Sequence, residues 1–225
     1  MHRHFDEYLD NLKSKLTLMG SLAEEAIQKA IESMKKHDIV IARRVIDGDS
    51  RINTLEIEIY HAIVDLLALQ QPVAIDLRLI LAAQKINNDL ERIGDHAVNI
   101  AESALALATF SPQGSLLRLP EMVDLVQKML HDALDGFIHG DPALGRAVLE
   151  LDDRIDDLNR QMTQEVIRLM REKPETIEAG LELIRVSRNL ERVADLATNI
   201  AEEIIFITQA RVVKHHAEDH PDTAD

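Results

Sequence analysis

The chain has 225 residues, a net charge of −15 and no cysteine. The acidic balance argues against a nucleic-acid-binding surface, and the lack of cysteine excludes disulfides, iron–sulfur clusters and thiolate zinc sites. Few glycines, prolines and aromatic residues are typical of an all-helical protein. No apolar run approaches the ~20 residues of a membrane span, and no signal-peptide core follows Met1. We therefore expect a cytoplasmic protein without an integral membrane segment.

Apolar residues spaced alternately by three and four predict three long amphipathic helices in the first half of the chain. The first helix ends near Met34, and Asp38 is a candidate N-cap for the second. The second helix runs to Leu69, with a bend predicted at 47–49. Pro72 suits the first turn of the third helix, which carries a regular apolar stripe.

A break at 111–115, rich in Ser, Pro and Gly, predicts a domain boundary. The same plan follows it, with helices predicted over 122–138, 141–170 and 175–208. The predicted fold is all-α, a tandem repeat of two three-helix bundles with long antiparallel helices. Beyond the last helix the chain is polar and lacks apolar periodicity, which predicts disorder. The predicted domains are residues 1–112 and 117–212, followed by a disordered tail over 213–225.

An internal repeat lies on the last helix of each half. The segment Leu90–Glu102 recurs as Leu190–Glu202, and nine of the thirteen positions are identical. Repetition at a long fixed period indicates a duplicated architecture. The repeated residues include core positions, as a duplicated bundle requires, but also polar residues such as Glu91 and Asp95. Packing alone does not require these polar residues.

The spacing of Glu91 and Asp95 places both carboxylates side by side on the outer face of the third helix. The second and third helices are antiparallel around a turn near position 72, so residues equidistant from that turn should lie beside each other. This reflection places Glu91 beside Asn53 and Asp95 beside Asp49. Reflection about the second turn gathers four acids in the second half. They are Asp152, Asp156, Glu191 and Asp195.

Clustered carboxylates repel one another unless a cation or proton intervenes. Oxygen ligands favour magnesium, calcium, manganese or iron over copper or zinc. We therefore predict a metal site on each bundle, with divalent or ferric ions (iron, manganese, magnesium or zinc) as candidates. Repeated arginines offer an alternative, in which the acids form surface salt bridges that stabilise the fold little. These arginines are Arg51 and Arg154, and Arg92 and Arg192.

The duplicated motif Glu-Arg-x-x-Asp-x-x-x-Asn-Ile-Ala-Glu, on the last helix of each predicted bundle, resembles the PhoU family of phosphate-specific transport accessory proteins. The resemblance covers about residues 3–212. It implies a non-enzymatic negative regulator of phosphate uptake and of the phosphate-starvation response. Such a protein acts between the ATPase subunit of a phosphate ABC transporter and a phosphate sensor histidine kinase. We also expect a homodimer.

The resemblance also implies a set of metal ligands for each bundle. Asn53 departs from the all-acid form of the family, which distinguishes the first site from the second. By resemblance the ligands are Glu91 and Asp95 with Asp49, and Glu191 and Asp195 with Asp152 and Asp156.

Histidines suggest further metal sites only weakly. Glu58 and His61 have the spacing used in di-iron bundles, but they are not duplicated, and a surface pair is the better interpretation. His215, His216 and His220 are assigned to the solvated tail. No Gly-rich phosphate loop and no catalytic grouping of Ser, His and Asp is recognisable, so no enzymatic activity is predicted.

Three classes of function are compatible with the sequence. They are a regulatory adaptor with metal-decorated faces, a metal-storage or redox bundle protein, and a plain helical scaffold with salt-bridged faces. A storage or redox protein should place its ligands inside a bundle, at core positions. The acids here lie outside those positions, which favours the adaptor. His96 follows Asp95 but has Leu196 as its counterpart, and we interpret it as a packing or rim residue.

Overall fold

The computed structural model describes residues 2–110 and 118–209, with side chains described from Phe5 onward. The predicted linker at 111–115 and the predicted tail at 213–225 lie outside the described residues. Within the described ranges the chain forms helices joined by short turns. Their bounds are α1 His2–Lys36, α2 Ile39–Gly48, α3 Ser50–Gln70, α4 Ala74–Leu107, α5 Leu119–His139, α6 Pro142–Leu149, α7 Asp152–Glu172 and α8 Ile177–Gln209, with a 3₁₀ turn at Pro174–Thr176.

The predicted all-α fold with two three-helix bundles is confirmed. In each half the middle helix is broken into a short and a long piece, α2–α3 in the first and α6–α7 in the second. The bend predicted at 47–49 is the first of these breaks. The continuous helix predicted over 141–170 is wrong, because the chain turns between α6 and α7. Val148 and Ile155 flank that turn and are both buried. The apolar pattern of the sequence therefore continues across the turn and does not indicate a break in the helix.

The two short helices each begin at a capping aspartate, and Asp38 is the cap predicted from the sequence. Asp38 Oδ1 accepts hydrogen bonds from the backbone N–H groups of Val40 at 2.8 Å and Ile41 at 3.1 Å. Asp141 caps α6 in the same way and accepts from the N–H of Ala143 at 2.8 Å. Each cap satisfies backbone donors that the first helical turn leaves unpaired. The caps thereby define where α2 and α6 begin, upstream of the two breaks.

The central helices α4 and α8 pack against each other and join the two halves. Their contacts run in opposite chain directions: Lys85 Nζ lies 2.5 Å from Glu203 Oε1, while Arg185 Nη2 lies 2.7 Å from Glu102 Oε2. The two helices are therefore antiparallel. Buried apolar residues from both halves form one continuous core.

This shared core bears on the prediction that the halves are independent domains. We expect residues 1–112 alone to be helical but less stable than the full chain, because α4 loses the helix that covers one of its faces. Newly exposed apolar surface costs about 25 cal/mol per Å². Circular dichroism during a thermal melt measures both properties. A cooperative melt at a lower midpoint is the expected result, and a disordered fragment would contradict it.

Candidate acidic sites on the two repeats

The first acidic cluster forms where the start of α3 meets α4. Asp49 is the single residue between α2 and α3, and Gly94 of α4 lies against it. A Cβ at Gly94 would lie 3.2 Å from Asp49 Oδ1 and 3.0 Å from Ile52 Cδ1, so the lack of a side chain permits this close approach. Asn53 Nδ2 donates a hydrogen bond to Asp49 Oδ2 at 2.8 Å. Two of the residues predicted for this site are therefore in direct contact.

Glu91 faces these residues from α4. Its pKa is raised, first by partial burial and then by the negative charges of Asp95, Glu56 and Asp49. Such repulsion requires the acids to lie close together, so the hairpin register does bring them to one face. Glu56 was not among the predicted site residues. Its position one helical turn beyond Asn53, on the same side of α3, was the available sequence signal.

One oxygen of the first cluster is left without a donor. Asp49 Oδ1 is buried and has no hydrogen-bond partner in the described part of the chain. A buried carboxylate oxygen in that state is costly, and a bound cation or a proton would relieve the cost. Within residues 2–110 and 118–209, however, no three His, Cys, Asp or Glu side chains converge closely enough to hold a metal ion. The cluster therefore has the negative charge that attracts a cation, but its side chains do not converge on one coordination point.

The second cluster is the counterpart on α7 and α8. The pKa of Glu191 is raised chiefly by burial; Arg192 opposes this shift, and the charges of Asp156 and Asp152 reinforce it. The pKa of Asp195 is also raised, first by burial and then by the charge of Glu191. The four acids predicted for this half therefore face one another across the α7–α8 hairpin.

Arginine accounts for part of the charge balance of the second cluster. Arg192 Nη1 lies 3.5 Å from Asp195 Oδ2, and its Nε lies 3.8 Å from Glu191 Oε2. Arg154 pairs instead with Glu121 of α5. Exposed ion pairs of this kind contribute little to stability. Because the pKa values of Glu191 and Asp195 stay raised beside Arg192, the arginine only partly offsets burial and repulsion.

The predicted residues fit a hard cation in donor chemistry and in charge. Carboxylate and amide oxygens are the ligands that magnesium, calcium and manganese prefer. The side chains would still have to turn towards a common point, so the metal sites stay a prediction. The two groups are Asp49, Asn53, Glu91 and Asp95 in the first half, and Asp152, Asp156, Glu191 and Asp195 in the second.

The other histidine candidates have different surroundings. Glu58 Oε2 lies 2.6 Å from Lys15 Nζ of α1, so this acid ties α3 to α1 rather than pairing with His61. His96 does more than pack, because its Nδ1 lies 2.8 Å from Asn189 Oδ1 and links α4 to α8. Burial lowers the pKa of His96 and favours its neutral form.

A group of polar residues at the α4–α8 contact was not predicted. Asp89 is buried beside Asn199, which donates a hydrogen bond to it, and burial raises the pKa of Asp89 to about 6. Glu203 is also buried and pairs with Lys85. Reflection within each hairpin could not find this group, because it forms between the halves. The available signal was that Asp89 and Asn189 are both polar at the same repeat position, next to Leu90 and Leu190.

The chain matches a family model twice. The PhoU domain model matches residues 16–104 and again residues 119–204. A curated relative from Aquifex aeolicus, named phosphate-specific transport system accessory protein PhoU homolog, is 39% identical over 207 residues, covering 92% of this chain and 94% of its own. A relative of the same name from Caulobacter vibrioides is 38% identical over 205 residues, covering 91% of this chain and 89% of its own.

Solved structures show the same fold. PhoU from Pseudomonas aeruginosa superposes with a TM-score of 0.89 at 35% identity, covering 92% of this chain and 100% of its own. The phosphate transport system regulatory protein PhoU from Streptococcus pneumoniae superposes with a TM-score of 0.86 at 29% identity, covering 94% and 100% of the two chains. None of the helices in the described part of this chain combines the length and apolarity that crossing a membrane needs.

The described helices place the chain in the class of all-helical proteins built from a duplicated three-helix bundle, with a group of acidic residues on each repeat. The two domain matches and the relatives above place the chain more narrowly. It belongs to the PhoU family. The prediction that it is not an enzyme is confirmed, because this is a family of accessory and regulatory proteins.

Proposed function

We propose that the protein is an accessory protein of phosphate transport, which restrains phosphate uptake and represses the phosphate-starvation response. The observation that carries the proposal is the pair of PhoU domains across nearly the whole chain. Relatives at 38–39% identity are named for the phosphate-specific transport system. The protein acts by contacts with other proteins, as an adaptor between the ATPase subunit of a phosphate ABC transporter and a phosphate sensor histidine kinase.

The two acidic clusters serve this adaptor as cation sites. Three observations support this: the raised pKa values of Glu91, Glu191 and Asp195, the oxygen of Asp49 without a donor among the described residues, and the duplication of the acids. A cation at each cluster neutralises the repulsion and fixes α3 to α4 or α7 to α8. Manganese, iron or magnesium suits these oxygen ligands best, and zinc less well.

We also propose a cellular location and an oligomeric state for this adaptor. The protein works in the cytoplasm as a homodimer and reaches the membrane through its partners. An alternative role as a metal-storage or redox protein is less well supported, because the acids lie on outer faces of the hairpins and not among core side chains such as Leu90 and Ile93. Storage and redox sites of helical bundles are built from residues that project into the core.

A binding experiment tests the adaptor role. The tagged full-length protein is mixed with the purified transporter ATPase subunit and with the cytoplasmic part of the sensor kinase from its own host. We expect retention of at least one of them, because family members act through protein contacts, with retention dependent on phosphate concentration. The control variant Asp6→Asn with Asp10→Asn removes two exposed acids of α1 and should behave as the wild type. Retention of neither protein, at high or at low phosphate, would favour the storage role instead.

A further inference from the structure

Apolar side chains form a row along the outer face of the α3–α4 hairpin. On α3 they recur at intervals of three and four residues, so they share one helix face. On α4 two more are separated by a single turn. Each of these six side chains is between 36% and 55% exposed. The row, which we call the hairpin patch, consists of Ile57, Tyr60, Val64, Leu67, Leu77 and Leu81.

The two helices present this row side by side. Asn87 Nδ2 of α4 donates to the backbone oxygen of Glu56 at 3.1 Å, which fixes the register of the hairpin. Tyr60 lies one turn after Glu56 on α3, and Leu81 lies nearly two turns before Asn87 on α4. The turn at 71–73 closes the hairpin beyond them. The patch therefore runs from the first acidic cluster towards the hairpin tip, where further apolar residues are exposed. These are Leu69, Val73 and Ile75.

The patch is only partly a property of the repeated fold. The positions of α7 that correspond to Ile57 and Tyr60 hold Arg160 and Thr163. Arg160 forms an ion pair with Asp157 instead of offering apolar surface. Soluble proteins seldom expose a large contiguous apolar patch unless it binds something. The second hairpin keeps apolar residues near its turn and lacks only the part of the row next to its acidic cluster. The counterparts of the other four patch residues are Ile167, Met170, Ile177 and Leu181.

Acidic residues outnumber basic ones around the patch. After Arg51, α3 has no Lys or Arg, and its charged residues are Glu56, Glu58 and Asp65. At the end away from the tip the patch meets the acidic cluster, where the pKa of Glu91 is raised by burial and by its acidic neighbours. Basic residues also lie nearby on α4: Lys85 is paired with Glu203 of α8, Arg78 lies between Leu77 and Leu81, and Arg92 is next to Glu91. A ligand that covers the patch would therefore meet apolar surface at one end and negative charge at the other.

We propose that, when the first acidic cluster holds no metal, the hairpin patch is a docking surface for an amphipathic helix of a partner protein, with its apolar face over Tyr60, Val64 and Leu67 and its Lys or Arg residues over the acidic cluster. Such helices bind in grooves through apolar residues at intervals of three and four. From Asn53 to Gln70, α3 is about 27 Å long at 1.5 Å per residue, which matches a helix of about 18 residues. The inference rests on the proposed adaptor role, because it names the surface that one of the adaptor's partners would use.

Charge favours a basic helix over two other possible occupants of the patch, a second copy of the chain and an anionic membrane. A second copy of the chain would present a face on which acidic residues also outnumber basic ones, so the net charges of the two faces repel. An anionic membrane surface would be repelled by Glu56, Asp65 and Glu91 for the same reason. A basic, amphipathic helix has complementary charge, which increases both the rate and the specificity of docking.

The test uses a synthetic, fluorescently labelled peptide of about 18 residues. It has leucines at intervals of three and four along its length and lysines concentrated in one half. A matched peptide has glutamate in place of each lysine. The patch variant combines Tyr60→Ser, Val64→Ser and Leu67→Ser. The control variant makes the same number of changes at exposed apolar residues of the second hairpin. These are Ile167→Ser, Ile177→Ser and Leu181→Ser.

Fluorescence anisotropy should show that the wild type and the control variant bind the lysine peptide equally. We expect the Kd of the patch variant for the lysine peptide to be at least about tenfold higher than that of the wild type. The glutamate peptide should bind none of the proteins, and added salt should weaken the lysine peptide. Circular dichroism of the patch variant should match the wild type, because the three altered side chains are partly exposed.

Several outcomes would overturn the proposal. Equal binding of the lysine peptide by the patch variant would do so, and so would equal loss of binding in the control variant. Sedimentation showing a wild-type dimer that the patch variant alone loses would assign the patch to a second copy. Stronger binding to vesicles containing phosphatidylglycerol than to the peptide would assign it to a membrane. The binding experiment with the transporter ATPase subunit and the sensor kinase tests the adaptor role separately, because the peptide result does not depend on either protein.

Discussion

Protein carrying Glu191→Gln together with Asp195→Asn is expected to lose manganese or ferrous-iron binding at the second cluster. Both changes replace a carboxylate with an uncharged amide, and Asp152 and Asp156 would then be the remaining acids of the site. Loss of a single supporting outer-shell group costs roughly 10–100-fold in metal affinity. Loss of two ligands should therefore cost more than that. Isothermal titration of protein purified without an affinity tag, compared with the wild type, measures the effect.

The double variant should keep its fold. Burial raises the pKa values of Glu191 and Asp195, so their charged forms are disfavoured in the folded state. Above those pKa values the two charges lower the stability of the metal-free protein, and neutral replacements should raise it. Equal metal binding by the wild type and the double variant would contradict the assignment. The control Asp6→Asn with Asp10→Asn removes two acids at the same spacing on α1 and should bind metal as the wild type does.

We expect the second cluster to bind a divalent cation more tightly than the first. Asp156 supplies a negative charge where the first cluster has the neutral amide of Asn53, and that amide already donates to Asp49. Asn53→Asp should therefore strengthen binding at the first cluster, which a titration of the single variant would show. Two binding phases of equal affinity in the wild type would contradict this difference between the repeats.

Asp89→Asn is expected to stabilise the protein at pH 7.5–8 by about 1–3 kcal/mol, since each unit of pKa shift corresponds to 1.36 kcal/mol. Burial raises the pKa of Asp89 from 3.8 to about 6. Between these two values the folded state keeps a proton that the unfolded chain has released, so stability falls as the pH rises through that window. Asparagine is neutral throughout and retains a polar side chain for Asn199. It also reproduces the residue that the second repeat has at position 189.

Urea unfolding at a series of pH values measures this effect. The wild type and Asp89→Asn should have similar free energies of unfolding near pH 4, and the difference between them should grow up to about pH 7. Asp65→Asn, at an exposed position of α3, is the matched control and should leave the pH dependence unchanged. A constant difference at every pH would mean that Asp89 acts through packing and not through its charge.

Much of the acidic arrangement was predictable because each hairpin is regular and its turn is short. With a rigid rise per residue, counting outward from positions 72 and 173–174 is enough to place Glu91 and Asp95 opposite Asn53 and Asp49, and Glu191 opposite Asp156. Glu56 was missed because its reflection about position 72 is Asn88, which is not an acid. The break between α6 and α7 escaped it as well, since apolar spacing continues across the turn.

The contact between α4 and α8 was not predictable from either repeat alone. Asp89 and Glu203 are buried only because the second half covers the first, and nothing in the local spacing of one helix specifies a partner more than a hundred residues away. The direction of side chains could not be predicted either. The hairpin register specifies which acids share a face, but not whether their oxygens turn towards one point.

Each acidic cluster lies at a joint in the chain. Asp49 is the only residue between α2 and α3, and Asp152 is the first residue of α7, directly after the turn from α6. A change of charge at either cluster therefore acts next to the break between a short helix and a long one, and not on the middle of a continuous helix. We expect such a change to alter the angle between the two helices more readily than it would bend either of them.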